Sequence, residues 1–142
     1  ALFSSGRPVM MCPHVDPVHE DFRQHVAIGW NGSLEASRAA ALAMPLIEAA
    51  AEVTILTTGD TEHSATAEEF RRYLDLRTVA RRIRTFRGRG NVGEKLLGES
   101  AAAGAGLLIM GAYHESYERE TVFGGNSQTV VDKAEMPVVL VH

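Results

Sequence analysis

The sequence predicts an α/β fold: a three-layer sandwich around a five-stranded, mainly parallel sheet, with an extra N-terminal strand. Two observations carry this reading. From residue 25 onward, short apolar runs alternate with stretches at helical spacing, the order that builds β-α units. Strands alternating with helices in this way form a parallel sheet covered on both faces, and right-handed crossovers leave few topologies open. With 142 residues, 45% of them hydrophobic, the chain suits one globular domain with a real core.

Taken in order, residues 1–13 read as the last strand of a preceding, related domain, 14–24 as a linker, and 25–142 as the domain proper. Arg7-Pro8-Val9-Met10-Met11-Cys12 echoes Glu135-Met136-Pro137-Val138-Val139-Leu140-Val141: in both, a Pro-Val opens a short apolar strand. Proline is accepted as the first residue of a strand, where its missing N–H does no harm. His25–Trp30 is the first strand of the domain. Asn31-Gly32-Ser33 follows, a turn ending in a good helix N-cap. Residues 34–50 have helical spacing, with Leu42, Leu46 and the alanines assigned to the buried face, and Pro45 predicts a kink. Val53–Thr57 is the second strand and 65–76 the second helix, with Phe70 and Leu74 at i, i+4. Residues 78–86 form a third strand of mixed polarity, and 91–103 a helix ending at Gly104. Leu107–Gly111, Gly125–Lys133 and Val138–Val141 complete the pattern as strand, helix and strand.

Composition excludes several functions. The net charge is −4 with both signs interspersed, so no nucleic-acid footprint is visible. Arg81, Arg82, Arg84, Arg87 and Arg89 read as the solvated side of an edge-like strand. The single Cys12 leaves no internal disulfide and fits a cytoplasmic chain. No apolar run approaches the roughly 20 residues of a membrane span, and no signal-peptide pattern is visible. The six histidines have no metal-ligand spacing, so no metal site is expected. Gly88-Arg89-Gly90-Asn91-Val92-Gly93 satisfies the dinucleotide pattern formally. The acid expected about 20 residues on is Ala112 or Tyr113 instead, so the segment reads as a flexible turn. Trp30 is expected in the core or a subunit contact. No nucleophile elbow, Walker lysine or acid–base pair is present, so no catalytic residues are assigned.

One stretch does have the design of a site. Leu107–Met110 ends at Gly111, and a polar loop runs to Gly124 and Gly125, which open a helix. Glycines let backbone approach a ligand, and a helix N-terminus directs N–H groups at negative charge. In open α/β sheets such loops, at the carboxyl ends of strands, hold ligands. Asn31-Gly32-Ser33 occupies the equivalent place after the first strand.

Over residues 24–142 the chain resembles the universal stress protein family, on Val26-Ala27-Ile28-Gly29-Trp30-Asn31-Gly32-Ser33, on Met110-Gly111-Ala112-Tyr113, and on Val122-Phe123-Gly124-Gly125. The family's phosphate loop reads Gly, two residues, Gly, nine residues, Gly, then Ser or Thr. Gly111, Gly124 and the gap 115–123 match, whereas His114 stands at the second glycine and Gly125 at the Ser/Thr. The resemblance, closest to second domains of tandem bacterial members, implies the Rossmann-like fold of the adenine nucleotide alpha hydrolase type. It also implies ATP or another adenine nucleotide as ligand, with Mg²⁺. Asn31, with Gly32 and Ser33, would face the base, in place of the family's Asp. Gly111, His114, Gly124, Gly125, Asn126 and Ser127 would lie at the phosphate end. Asn31 keeps an acceptor but loses the charge. His114 costs on the order of 1 kcal/mol if its φ is positive, and Ser127 is close enough to replace the hydroxyl missing at Gly125.

The function so implied is a stress-response or regulatory domain with a degenerate nucleotide site, rather than an enzyme. A dimerisation or interaction module with no nucleotide is the alternative, and a weak ATPase a more distant one. The last strand of the family pairs antiparallel with that of a second domain. Val9–Cys12 is therefore expected to run antiparallel to Val138–Val141, within one chain, as in a tandem pair, or exchanged in a homodimer. No nucleic-acid or membrane partner is expected.

Overall fold

In the computed structural model of the chain, described for residues 5–14, 20–59, 66–77, 81–112 and 125–142, the strands form one six-stranded sheet. In chain order the elements are β1 (Val9–Met11), β2 (His25–Gly29), α1 (Leu34–Leu42), α2 (Met44–Ala49), β3 (Glu52–Thr57), α3 (Ala67–Asp75), β4 (Arg81–Thr85), α4 (Val92–Ala102), β5 (Leu107–Gly111), α5 (Gly125–Lys133) and β6 (Val138–Val141). The spatial order is β1-β6-β5-β2-β3-β4, and every pairing is parallel except that of β1 with β6. The chain winds outward from β2 to β4 and then restarts at β5 on the other side of β2. That reversal opens a crevice where β2 and β5 meet.

Residues alternate across the sheet with the period of two that strands impose. Val26, Ile28, Val53, Ile55, Leu107 and Ile109 face a core shared with α1, α2 and α3. Ala27, Leu56, Leu108, Met110, Val138 and Leu140 face α4 and α5. Both faces are covered along β2, β3, β5 and β6, so these strands read as nearly continuous apolar runs, whereas the edge strand β4 is mixed and largely exposed.

The extra N-terminal strand adds to the edge of the sheet as expected, in antiparallel register Val9↔Leu140, Met10↔Val139, Met11↔Val138. Val9 and Met11 pack on the α4/α5 core while Met10 is exposed. Residues 34–50 form two helices, not one kinked helix. Pro45 opens the second, where its lack of an N–H is harmless, and the break falls at Ala43. Leu42 is consequently on the outside, 47% exposed, and Ala39, Ala40, Ala43 and Ile47 carry the packing. Small residues there let α1 lie close against β5 and β6. α3 starts at a capping box: Thr66 N–H donates to the Glu69 carboxylate (2.8 Å) and Glu69 N–H to Thr66 Oγ1 (3.2 Å). Phe70 and Leu74 are buried on its inner face, as their spacing predicts.

At the amino ends of the strands the fold is sealed. A Cβ built on Gly106 would lie 2.6 Å from the Phe22 carbonyl oxygen and 2.7 Å from its Cα. The segment before β2 therefore lies directly on the start of β5. His25 Nε2 and Thr54 Oγ1 are hydrogen-bonded at 2.7 Å, with the Glu52 carboxylate 3.8 Å from His25 Nδ1. Burial pushes the imidazole below its ordinary pKa of 6.5, with Glu52 opposing and Arg82 reinforcing.

Candidate functional site

At the carboxyl ends the first turns of α1, α4 and α5 converge on a cleft, and local chemistry explains each. The turn after β2 is an Asx turn: Ser33 N–H donates to Asn31 Oδ1 (3.1 Å), and Gly32 takes φ +76°. Ser33 then caps α1 by accepting from Ala36 N–H (3.1 Å). The end of β5 abuts this same turn. A Cβ on Gly111 would come within 2.7 Å of the Glu35 carbonyl carbon and 2.8 Å of Ala36 N, so only glycine fits. α4 starts at Asn91, whose Oδ1 accepts from Glu94 N–H (3.0 Å). Gly93 lies under the first turn of α5: its Cβ would be 2.5 Å from the Asn126 carbonyl oxygen, and its N–H points at Asn126 Oδ1, 3.4 Å away. The glycine-rich segment 88–93 is thus a close-packed junction as well as a turn.

Asn31, Gly111 and Asn126, remote in sequence, line one cleft of about 110 Å³. Gly32 and Ser33 belong to the turn that carries Asn31, with Ser33 buried. Gly125 begins α5, and Ser127 is fully buried and does not line the cleft. His114 and Gly124 lie outside the described residues. The floor and far wall were not anticipated from sequence. Trp30, Thr57 and Phe86 come from strand ends, and Leu96 and Met110 come up from the core. The signal available was position, since β3 lies beside β2 at the reversal point and β4 beside β3, with their carboxyl ends on the same side of the sheet. Trp30 is 6% exposed and stacks on Phe70, with ring centroids 4.0 Å apart and planes within 4°. It is a core residue with one edge at the cleft.

The wall is mainly apolar, with Asn31, Thr57, Thr58 and Asn126 as its polar groups. None of these described residues titrates near neutral pH, so the described part of the wall holds no general acid or base. Among the described residues no group of His, Cys, Asp and Glu side chains could hold a metal ion, and no helix is long and apolar enough to cross a membrane. The arrangement is suited to holding a planar, weakly polar group at the strand ends, beside the amino terminus of α5.

Universal stress proteins share this architecture. One from Archaeoglobus fulgidus DSM 4304 superposes with a TM-score of 0.77 at 19% identity, over 96% of this chain and 50% of its own length. UspA from Lactobacillus plantarum gives 0.60 at 13% identity over 84% of this chain and 98% of its own. A member from Burkholderia pseudomallei gives 0.57 at 21% identity over 87% and 98%. The chain therefore spans half the length of the Archaeoglobus protein and has the universal stress protein fold. No family model matches the sequence, and no curated protein does.

Proposed function

We propose that this chain is a universal stress protein-type regulatory domain that binds an adenine nucleotide in the cleft at the carboxyl ends of β2, β3 and β5. The observation that carries the reading is the convergence of Asn31, Gly111 and Asn126, from three separate turns, on one crevice. The base would lie over the apolar wall near Asn31. The phosphates would extend toward the N-terminus of α5, where the helix dipole favours negative charge. Mg²⁺, where present, would be held mainly through the phosphates. In this reading the domain acts as a sensor or binding module.

Calorimetric titration with ATP, ADP and AMP, with and without Mg²⁺, tests this directly. Replacing Gly124 by Val should weaken binding by about tenfold or more while leaving the melting temperature unchanged, because a β-branched residue blocks close backbone approach. Undiminished ATP affinity in Gly124→Val would sink the assignment.

A second reading, an interaction module with no nucleotide, is favoured by one specific observation. Asn31 Oδ1 and Ser33 Oγ accept bonds within their own turn, and Asn126 Oδ1 faces Gly93 N–H. Saturable ATP binding that responds to Gly124→Val decides between the two.

A further inference from the structure

We propose that Arg87 and Arg89, on the turn between β4 and α4, form an oxyanion subsite that takes phosphate groups beside the cleft. The arginine run of the sequence divides sharply in space. Within β4, Arg81 is bonded to Asp75, Arg82 to Glu52 and Arg84 to Glu99. Past the strand end, neither Arg87 nor Arg89 has a carboxylate within ion-pair distance among the described residues. Both line a hollow of about 560 Å³ together with Thr58, Thr85, Phe86 and Gly88. Thr58 and Phe86 also line the cleft, so the two spaces adjoin.

The turn is held in place from below. Phe86 N–H donates to the Thr57 carbonyl (3.0 Å), continuing the ladder past the end of β4. Lys95 Nζ donates to the carbonyl oxygens of Arg87 (2.9 Å) and Arg89, which fixes the loop and adds a third positive charge beneath it. A Cβ on Gly88 would lie 2.9 Å from Thr58 Cγ2, so the turn sits tight on the end of β3. The nearest acid of the following helix, Glu94, is bonded to Lys133. Two planar guanidinium forks and two threonine hydroxyls, on a fixed backbone next to a helix N-terminus, are donors that match phosphate oxygens. In a chain of net charge −4 this is a local reversal of sign.

Pyrophosphate is the probe, so the result does not depend on whether nucleotide binds. It is titrated at constant ionic strength into the full chain, into Arg87→Gln/Arg89→Gln, and into Arg82→Gln/Arg84→Gln. The last variant removes the same charge from paired, exposed positions where little stability is at stake. The expected result is a loss of about tenfold or more in affinity in the first variant only, with wild-type binding that weakens as salt rises. Equal weakening in both variants would reduce the effect to net charge and overturn the subsite, as would the absence of saturable pyrophosphate binding by the wild type. Saturating ATP then distinguishes the source of the phosphate. Displacement of pyrophosphate assigns the hollow to a ligand lying in the cleft, and simultaneous binding assigns it to a free oxyanion.

Discussion

At the amino ends of the strands the backbone of Phe22 lies on Gly106 and His25 is tied to Thr54; at the carboxyl ends three helix starts meet around open space. Both ends use glycine for close approach, but to different effect. Gly106 brings a covering segment down onto the sheet. Gly111 and Gly93 bring helix N-termini to the sheet and to each other, without covering the strand ends. The polar groups differ in the same way. Those at the closed end tie the sheet together, while those at the open end, Asn31, Thr57, Thr58 and Asn126, line a crevice. One end stabilises the sheet, and the other end has the features of a binding site.

Substitutions at the two ends should therefore separate. The largest effect is expected from Gly106→Val, where backbone meets backbone and neither can yield. Urea unfolding should show a loss of about 3 kcal/mol. A loss below about 1 kcal/mol would mean that the closed end is looser than its distances imply. A smaller effect is expected from Gly29→Ala at the open end, where the new methyl group meets the flexible Leu96 Cδ2 at 3.1 Å. Stability should fall by less than about 1.5 kcal/mol, and ligand affinity should fall with it as the cleft narrows. Unchanged affinity alongside unchanged stability would detach Gly29 from the site.

The smallest effect concerns His25. Its folded-state pKa lies below 6.5, so the unfolded chain takes up the proton first. The stability it contributes is complete above 6.5 and is lost as pH falls through that value toward the lower folded pKa. Between about pH 7.5 and about pH 5.5 the melting temperature of the wild type should drop further than that of His25→Gln. Parallel curves would place the acid sensitivity elsewhere.

Much of this architecture was legible from periodicity alone. Apolar runs marked β2, β3, β5 and β6, and Asn31-Gly32-Ser33 marked the start of α1, because strand covering and helix capping are local demands. The Pro8/Pro137 echo, together with the resemblance to universal stress proteins, led to the antiparallel pairing of β1 with β6. What stayed hidden depends on partners distant in sequence. Leu42 looked like a core residue by spacing, yet the break at Ala43 turns it outward. Gly93 looked like part of a flexible turn, since nothing nearby in sequence announces that Asn126 will lie against it. The arginine run looked uniform because ion pairing is decided by which carboxylates the fold delivers. Of the residues lining the cleft, Asn31 and Gly111 stood out by their turns and Asn126 by the resemblance to universal stress proteins, whereas Phe86 and Leu96 needed the sheet order to reach it.

The three-residue β1 has a consequence for how the molecule opens. Its register with β6 joins positions separated by nearly the whole chain, so the closure entropy is large for three rungs of ladder. Strands β2, β3 and β5 lie deep in the sheet, and their amides should exchange with solvent only through global unfolding. Those of β1 should exchange through a local event of much lower free energy. Each such event unlatches one margin of the sheet and leaves the outer backbone of Val138–Val141 ready to pair with any strand that arrives before β1 returns.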